Sequence, residues 1–148
     1  MRDELEKQLY DRFPNFFPKD PNTLVIRFGF EHDDGWFDLL WDTLLQIEAE
    51  CKRLEYPKSE YPKLLQVKEK FARLRIYVGV ATDLMYNILT EAEKKSGYVC
   101  EYCGEEGTIM AKGGWIKTVC AKHSNGFKDI PKRDTKFGIA HPVEFNND

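Results

Sequence analysis

Tyr98–Ser124 reads YVCEYCGEEGTIMAKGGWIKTVCAKHS, and its cysteine and histidine spacing decides how this end of the chain folds. Cys100 and Cys103 form a C-x2-C pair, Cys120 and His123 a C-x2-H pair, with 16 residues between the two pairs. Two residues between cysteines let both thiolates reach one ion, and Gly104 directly after suits the turn of a zinc knuckle. Gly107–Ile109 and Trp115–Val119 read as strands of a hairpin that turns at Lys112-Gly113-Gly114. A short helix starting at Cys120 would place Cys120 and His123 on one face. The order of knuckle, hairpin and ligands on a helical turn is that of a treble clef; a zinc ribbon is the alternative if no helix follows. Three thiolates and one imidazole close a tetrahedral shell, which favours a structural Zn2+ over a catalytic ion that needs an open position.

Working outward from this module, the preceding residues supply an α+β body. Met1–Phe13 reads as an amphipathic helix with Leu5, Leu9 and Phe13 on one face, stopped by Pro14. Phe16 and Phe17 anchor the proline-rich crossing that follows. Thr23–Phe28 (TLVIRF) has the β-branched and aromatic content of a strand ended by Gly29. Trp36, Leu40, Leu44, Ile47, Cys51 and Leu54 recur at helical steps, with Asp33 or Asp34 as the N-cap. Cys51 falls on that apolar stripe as a small buried hydrophobe. Leu64–Val80 reads as two strands joined around Glu69–Ala72, with a helix over its first half as the alternative. Lys68, Lys70, Arg73 and Arg75 in this segment form either a basic patch or the wet face of alternating strands. Thr82 caps a helix to about Lys95 whose buried side is Leu84, Ile88, Leu89 and Ala92, with Gly97 as its C-terminal cap. The expected architecture is therefore α+β: a small antiparallel sheet with packed helices over 1–97, a treble-clef or zinc-ribbon module over 98–127 packed on it, and a tail over 128–148 with a short strand.

Composition narrows the function classes. The chain has 148 residues, 42% hydrophobic and 32% charged, with 20 aromatic residues and a net charge of −3. That balance gives no general drive toward phosphate backbones or anionic membranes. Charge is uneven, however: Lys112–Lys136 carries seven basic and two acidic side chains. No run approaches the roughly 18 apolar residues of a membrane span. The charged, amphipathic start lacks the apolar core of a signal peptide, and cysteines at metal spacing suit a reducing compartment. The expected location is the cytoplasm.

Catalytic chemistry finds little footing. Phosphate-cradling glycine motifs and a serine elbow are lacking. With His123 assigned to zinc, only His32 and His141 remain as general bases. His32, Asp33 and Asp34 are adjacent and point in different directions, so capping accounts for them better than a catalytic or second metal cluster does. No catalytic residue is assigned.

Three stretches together carry a family resemblance. GFEHDDGWFDLLWDTLLQIE (29–48), LLQVKEKFARLRIYV (64–78), and CEYCG (100–104) with GGWIKTVCAKH (113–123) resemble a group of small proteins encoded by tailed phages and prophages. The resemblance spans roughly residues 1–125. Members often carry glycine at the position after Phe71, where this chain has Ala72. It implies a phage accessory protein acting in the host cytosol, and it brings no catalytic residue. Two functional expectations follow. The first is a non-enzymatic binder or inhibitor of a host protein, such as a component of anti-phage defence, with aromatic anchors among Trp36, Trp41 and Trp115. The second is a zinc-dependent nucleic-acid binder using Lys112, Trp115, Lys117, Lys122, Lys128, Lys132 and Arg133, with Trp115 as a stacking surface.

Overall fold

The computed structural model describes residues 1–130. Helix α1 (Asp3–Arg12) packs Leu9 inward, and Phe13 and Phe16 follow it into the core through a 3-10 turn at Pro14–Phe16. Helix α3 (Phe37–Arg53) is the spine of the body. Its helical stripe of Leu40, Leu44, Ile47 and Cys51 is buried, joined at the N-terminal end by fully buried Trp36. Helix α4 (Asp83–Ser96) lies against α3 and buries Met85, Leu89 and Ala92. Thr82 caps α4 as expected, its hydroxyl accepting from the Met85 N–H at 3.2 Å. Leu84, expected inside, is instead exposed, and Met85 takes the inward position one residue later.

Two other expectations are corrected. Thr23–Phe28 is no strand: Leu24–Phe28 forms a short helix, α2, with Thr23 O accepting from Ile26 and Arg27 at 3.0 Å. Val25 alone in α2 is buried, whereas Leu24 and Phe28 face outward, so one inward contact per turn outweighs the β propensity of the run. The strand lies further on, as β1 (Phe30–Glu31). The sheet is also mixed rather than antiparallel: β1 runs parallel to β2 (Leu64–Lys70), which pairs antiparallel with β3 (Arg73–Val78). The two expected strands over 64–80 are thus present, joined by Phe71 and Ala72, both with positive φ (51° and 71°).

The C-terminal module is a second three-stranded sheet in the order β5 (Trp115–Val119), β4 (Thr108–Lys112), β6 (Lys128–Asp129). Strands β4 and β5 form the expected hairpin, with Lys112 opposite Trp115 across Gly113-Gly114. Ile109 and Ile116 on its inner face pack around buried Ala72 from the β2–β3 turn, and the Thr118 hydroxyl donates to Ala72 O at 2.6 Å. The two sheets are therefore locked turn against hairpin. Of the expected tail, Lys128–Asp129 forms a strand, while Lys132, Arg133 and His141 lie outside the described residues. No helix among the described residues is long and apolar enough to cross a membrane.

Candidate metal centre

Cys100, Cys103, Cys120 and His123 converge, their ligand atoms all within 4.8 Å of one another. Three of its edges lie near those around a tetrahedral ion. Sγ of Cys103 and Cys120 are 3.6 Å apart, and Nδ1 of His123 lies 3.6 Å from Cys100 Sγ and 3.2 Å from Cys120 Sγ. Metal–sulfur and metal–nitrogen bonds of zinc length require edges of about 3.8 and 3.6 Å around a tetrahedron. Among the described residues this is the one group of three or more His, Cys, Asp or Glu side chains so placed.

Local backbone chemistry builds the cluster. In the knuckle, Cys100 N donates to Glu105 O at 2.7 Å and Gly104 N to Cys100 O at 2.9 Å, while Gly104 takes the positive φ (85°) expected of it. The second ligand pair sits on a 3-10 turn (Ala121–His123), with His123 N donating to Cys120 O at 3.1 Å. Burial raises Cys120, but hydrogen bonds from His123 and Cys103 outweigh it and bring it down to about 6. At Cys103 a backbone hydrogen bond involving Glu105 lowers the thiol, yet burial and the neighbouring sulfurs push it up to about 11. Sulfurs this close cannot all become thiolates without a shared counter-charge, which a divalent cation supplies.

The knuckle is bolted to the body by a residue that sequence reasoning missed. Glu101, between the two knuckle cysteines, is only 1% exposed. One carboxylate oxygen accepts from Lys117 Nζ at 3.0 Å and the other from Asp33 N at 3.1 Å. Burial holds the Glu101 carboxyl above its ordinary range, with Lys117 and the Asp33 N–H pulling it back and the Asp33 carboxylate adding to the rise. Lys117 experiences the reverse: burial lowers it, and the bond to Glu101 outweighs burial to raise it. The Glu101 backbone is engaged as well, N–H to Thr118 O at 3.0 Å and O from Gly35 N at 2.7 Å. A Cβ on Gly35 would stand 2.1 Å from Cys100 O, so no larger residue fits without moving the knuckle. Trp36 Nε1 completes the seam by donating to Val99 O at 2.8 Å. A two-residue loop between ligands ordinarily points its side chains outward, so no periodicity marked Glu101; the glycine immediately before Trp36 was the available signal.

The remaining expected site residues separate. Trp115 is 76% exposed at the hairpin tip beside Gly113-Gly114. Lys112 stands next to it, its Nζ 5.6 Å from the Phe127 ring centroid. Lys122 and Lys128 are exposed, whereas Lys117 is consumed by Glu101 and lies over the Tyr102 ring at 5.3 Å. Trp36 is fully buried, and Trp41 packs edge-on to Phe13 at 5.1 Å. Neither Asp33 nor Asp34 caps α3, whose N-cap position is Trp36 with no side-chain bond. Asp34 instead accepts from Arg2 N at 2.9 Å, and the Asp33 carboxylate faces Lys117 at 4.0 Å. His32 is buried between Phe30 and Trp36, its Nδ1 bonded to Asp33 O at 2.7 Å and its Nε2 without a partner among the described residues. The three form no joint cluster.

The fold and site together define an α+β protein with a Cys3His centre docked against its body. Comparison with known proteins returns no match: no family model, no curated protein and no solved structure is similar to this chain.

Proposed function

We propose that this chain is a non-enzymatic protein binder whose Cys3His centre holds a structural Zn2+ and, through it, the hairpin tip that meets the partner. The observation that carries the reading is Trp115: a tryptophan 76% exposed on a hairpin turn whose base runs into the Cys3His cluster and is tied to the body by buried Glu101. A large, rigid aromatic on a preorganised loop loses little conformational freedom when it enters a pocket, which is why tryptophan is enriched among residues that dominate interfaces. The 3-10 turn after Cys120, followed by β6, supports the zinc-ribbon form of the module over the treble clef. In the setting that the phage resemblance implies, the partner is a host protein, defence components included, and the chain works in the host cytosol.

A nucleic-acid role for the same module is less well supported. Over 98–130, Lys112, Lys117, Lys122 and Lys128 are matched by Glu101, Glu105, Glu106 and Asp129, so this stretch carries no net charge. The basic residues of Lys112–Lys136 that fall within it are offset by Glu101, Glu105 and Glu106 just upstream and by Asp129. Affinity purification of the tagged chain from infected host cells, with and without nuclease, tests the reading. The expected result is a stoichiometric, nuclease-resistant protein partner that Trp115→Ala loses without a change in melting temperature. Identical eluates from both chains would count against the hairpin as the contact.

A further inference from the structure

The three cysteines of the Cys3His cluster differ in what can reach them. Cys100 is fully buried and Cys120 is 5% exposed, whereas Cys103, at the end of the knuckle, is open to solvent. Cys103 Sγ lies 3.6 Å from Cys120 Sγ, so a movement of about 1.6 Å brings the two sulfurs to bonding distance. Cys51, the fourth cysteine of the chain, is fully buried on the core face of α3 and takes no part in the cluster.

A movement of that size needs backbone that can give. The backbone of Cys100 is clamped: its N–H donates to Glu105 O at 2.7 Å, its O accepts from Gly104 N at 2.9 Å, and Gly35 packs directly against that same oxygen. Cys120 stands at the end of β5, and the turn that follows it, Ala121–His123, is exposed throughout. The chain between Cys103 and Cys120 already returns on itself through the β4–β5 hairpin. A bond between these two sulfurs therefore closes a loop that the fold has formed.

We propose that Cys103 is a site of oxidation by hydroperoxides and Cys120 its resolving thiol, so that the cluster exchanges its metal for a Cys103–Cys120 disulfide. The inference deepens, and rests on, the reading of the cluster as a zinc centre, in which the ligand sulfurs are thiolates. The Cys103 thiolate attacks a peroxide oxygen: an S–O bond forms, the O–O bond breaks, hydroxide leaves, and the sulfur, oxidised by two electrons, becomes a sulfenic acid. The Cys120 thiolate then attacks Cys103 Sγ, forming the S–S bond and expelling a second hydroxide. Two thiolates and one peroxide thus give one disulfide and two hydroxides. Cys100 and His123 are the donors left, too few to close a tetrahedral shell, and the zinc is released. The hairpin base stays tied, now covalently, and the turn carrying His123 is let go.

The test exposes the full chain, purified in its metal-containing form, to hydrogen peroxide while a chromogenic chelator reads released zinc. Disulfides are then mapped after cleavage at lysine and glutamate, which places Cys100, Cys103 and Cys120 on separate peptides. The expected result is zinc release in step with a Cys103–Cys120 linkage, Cys51 remaining a free thiol, and recovery of bound zinc once the disulfide is reduced and zinc supplied. Cys103→His keeps four donors and is expected to hold its zinc at the peroxide dose that empties the unaltered chain. Zinc retained by the unaltered chain, or released with a Cys100–Cys103 or Cys100–Cys120 linkage predominating, would overturn the proposal. So would a zinc-bearing Cys103→His that loses its metal as readily as the unaltered chain; should that variant bind no zinc, the linkage map of the unaltered chain decides alone. A metal-free chain that still forms the Cys103–Cys120 linkage contradicts the zinc reading and supports the oxidised pair, whereas a zinc-bearing chain without the linkage does the reverse.

Discussion

Glu101 is a buried carboxylate between two cysteines of the Cys3His cluster, and it ties the module to the body. Truncating it strands the Lys117 ammonium, which is about one-quarter exposed, and leaves the Asp33 N–H unpaired. Glu101→Ala is therefore expected to lower unfolding free energy by about 2–3 kcal/mol in a denaturant titration. His32 gives a pH signature. Burial drives its imidazole down to about 4, against an ordinary value near 6.5. Between those values the unfolded chain binds the extra proton, so stability rises with pH across the window and is lost as pH falls through it, by up to about 3 kcal/mol. Melting followed from pH 7 to 4 is expected to show this fall, and His32→Phe to flatten it. The Cys3His cluster was legible because coordination chemistry fixes the spacing of such residues in sequence. Glu101, Asp33 and His32 were not, because their roles depend on which distant backbone comes to rest beside them.

Elements show the same division between local and long-range causes. The helices α3 and α4 and the β2–β3 pair were legible from periodicity, since each buries one face along its length. Thr23–Phe28 was misread because six residues are too few for a period to outweigh composition, and the packing of Val25 chose the helix. The connecting turn shows propensity overruled: Phe71 and Ala72 both occupy the left-handed region that glycine adopts without strain. Ala72 is retained by its buried methyl against Ile109 and Ile116, but the Phe71 ring is exposed. Phe71→Gly is expected to stabilise the protein by about 1 kcal/mol, read as a shift in denaturation midpoint. The outer edge of β3 is closed by α4, where Ser96 Oγ accepts from Leu74 N at 2.8 Å and Glu93 from Ile76 N at 3.4 Å. Ser96→Ala leaves the Leu74 N–H buried and unpaired, with an expected loss of about 1–3 kcal/mol in the same titration.

At the scale of the whole molecule, the body and the Cys3His module meet at two places. One is the Gly35, Trp36 and Glu101 seam, the other the insertion of Ala72 into the hairpin. The sequence pattern carried no sign of how the two parts dock, because the seam is made by side-chain and backbone hydrogen bonds between residues more than 60 positions apart. If the cluster holds a metal, docking of this kind makes its binding part of global stability rather than a local staple. The central claim is that one zinc ion, held by Cys100, Cys103, Cys120 and His123, organises this end of the protein. Elemental analysis of the purified chain, paired with thermal melting of the unaltered protein and Cys100→Ser, tests it most directly. The expected result is one zinc per chain, lost in Cys100→Ser together with a markedly lower melting temperature; metal-free protein whose melting Cys100→Ser leaves unchanged would contradict it.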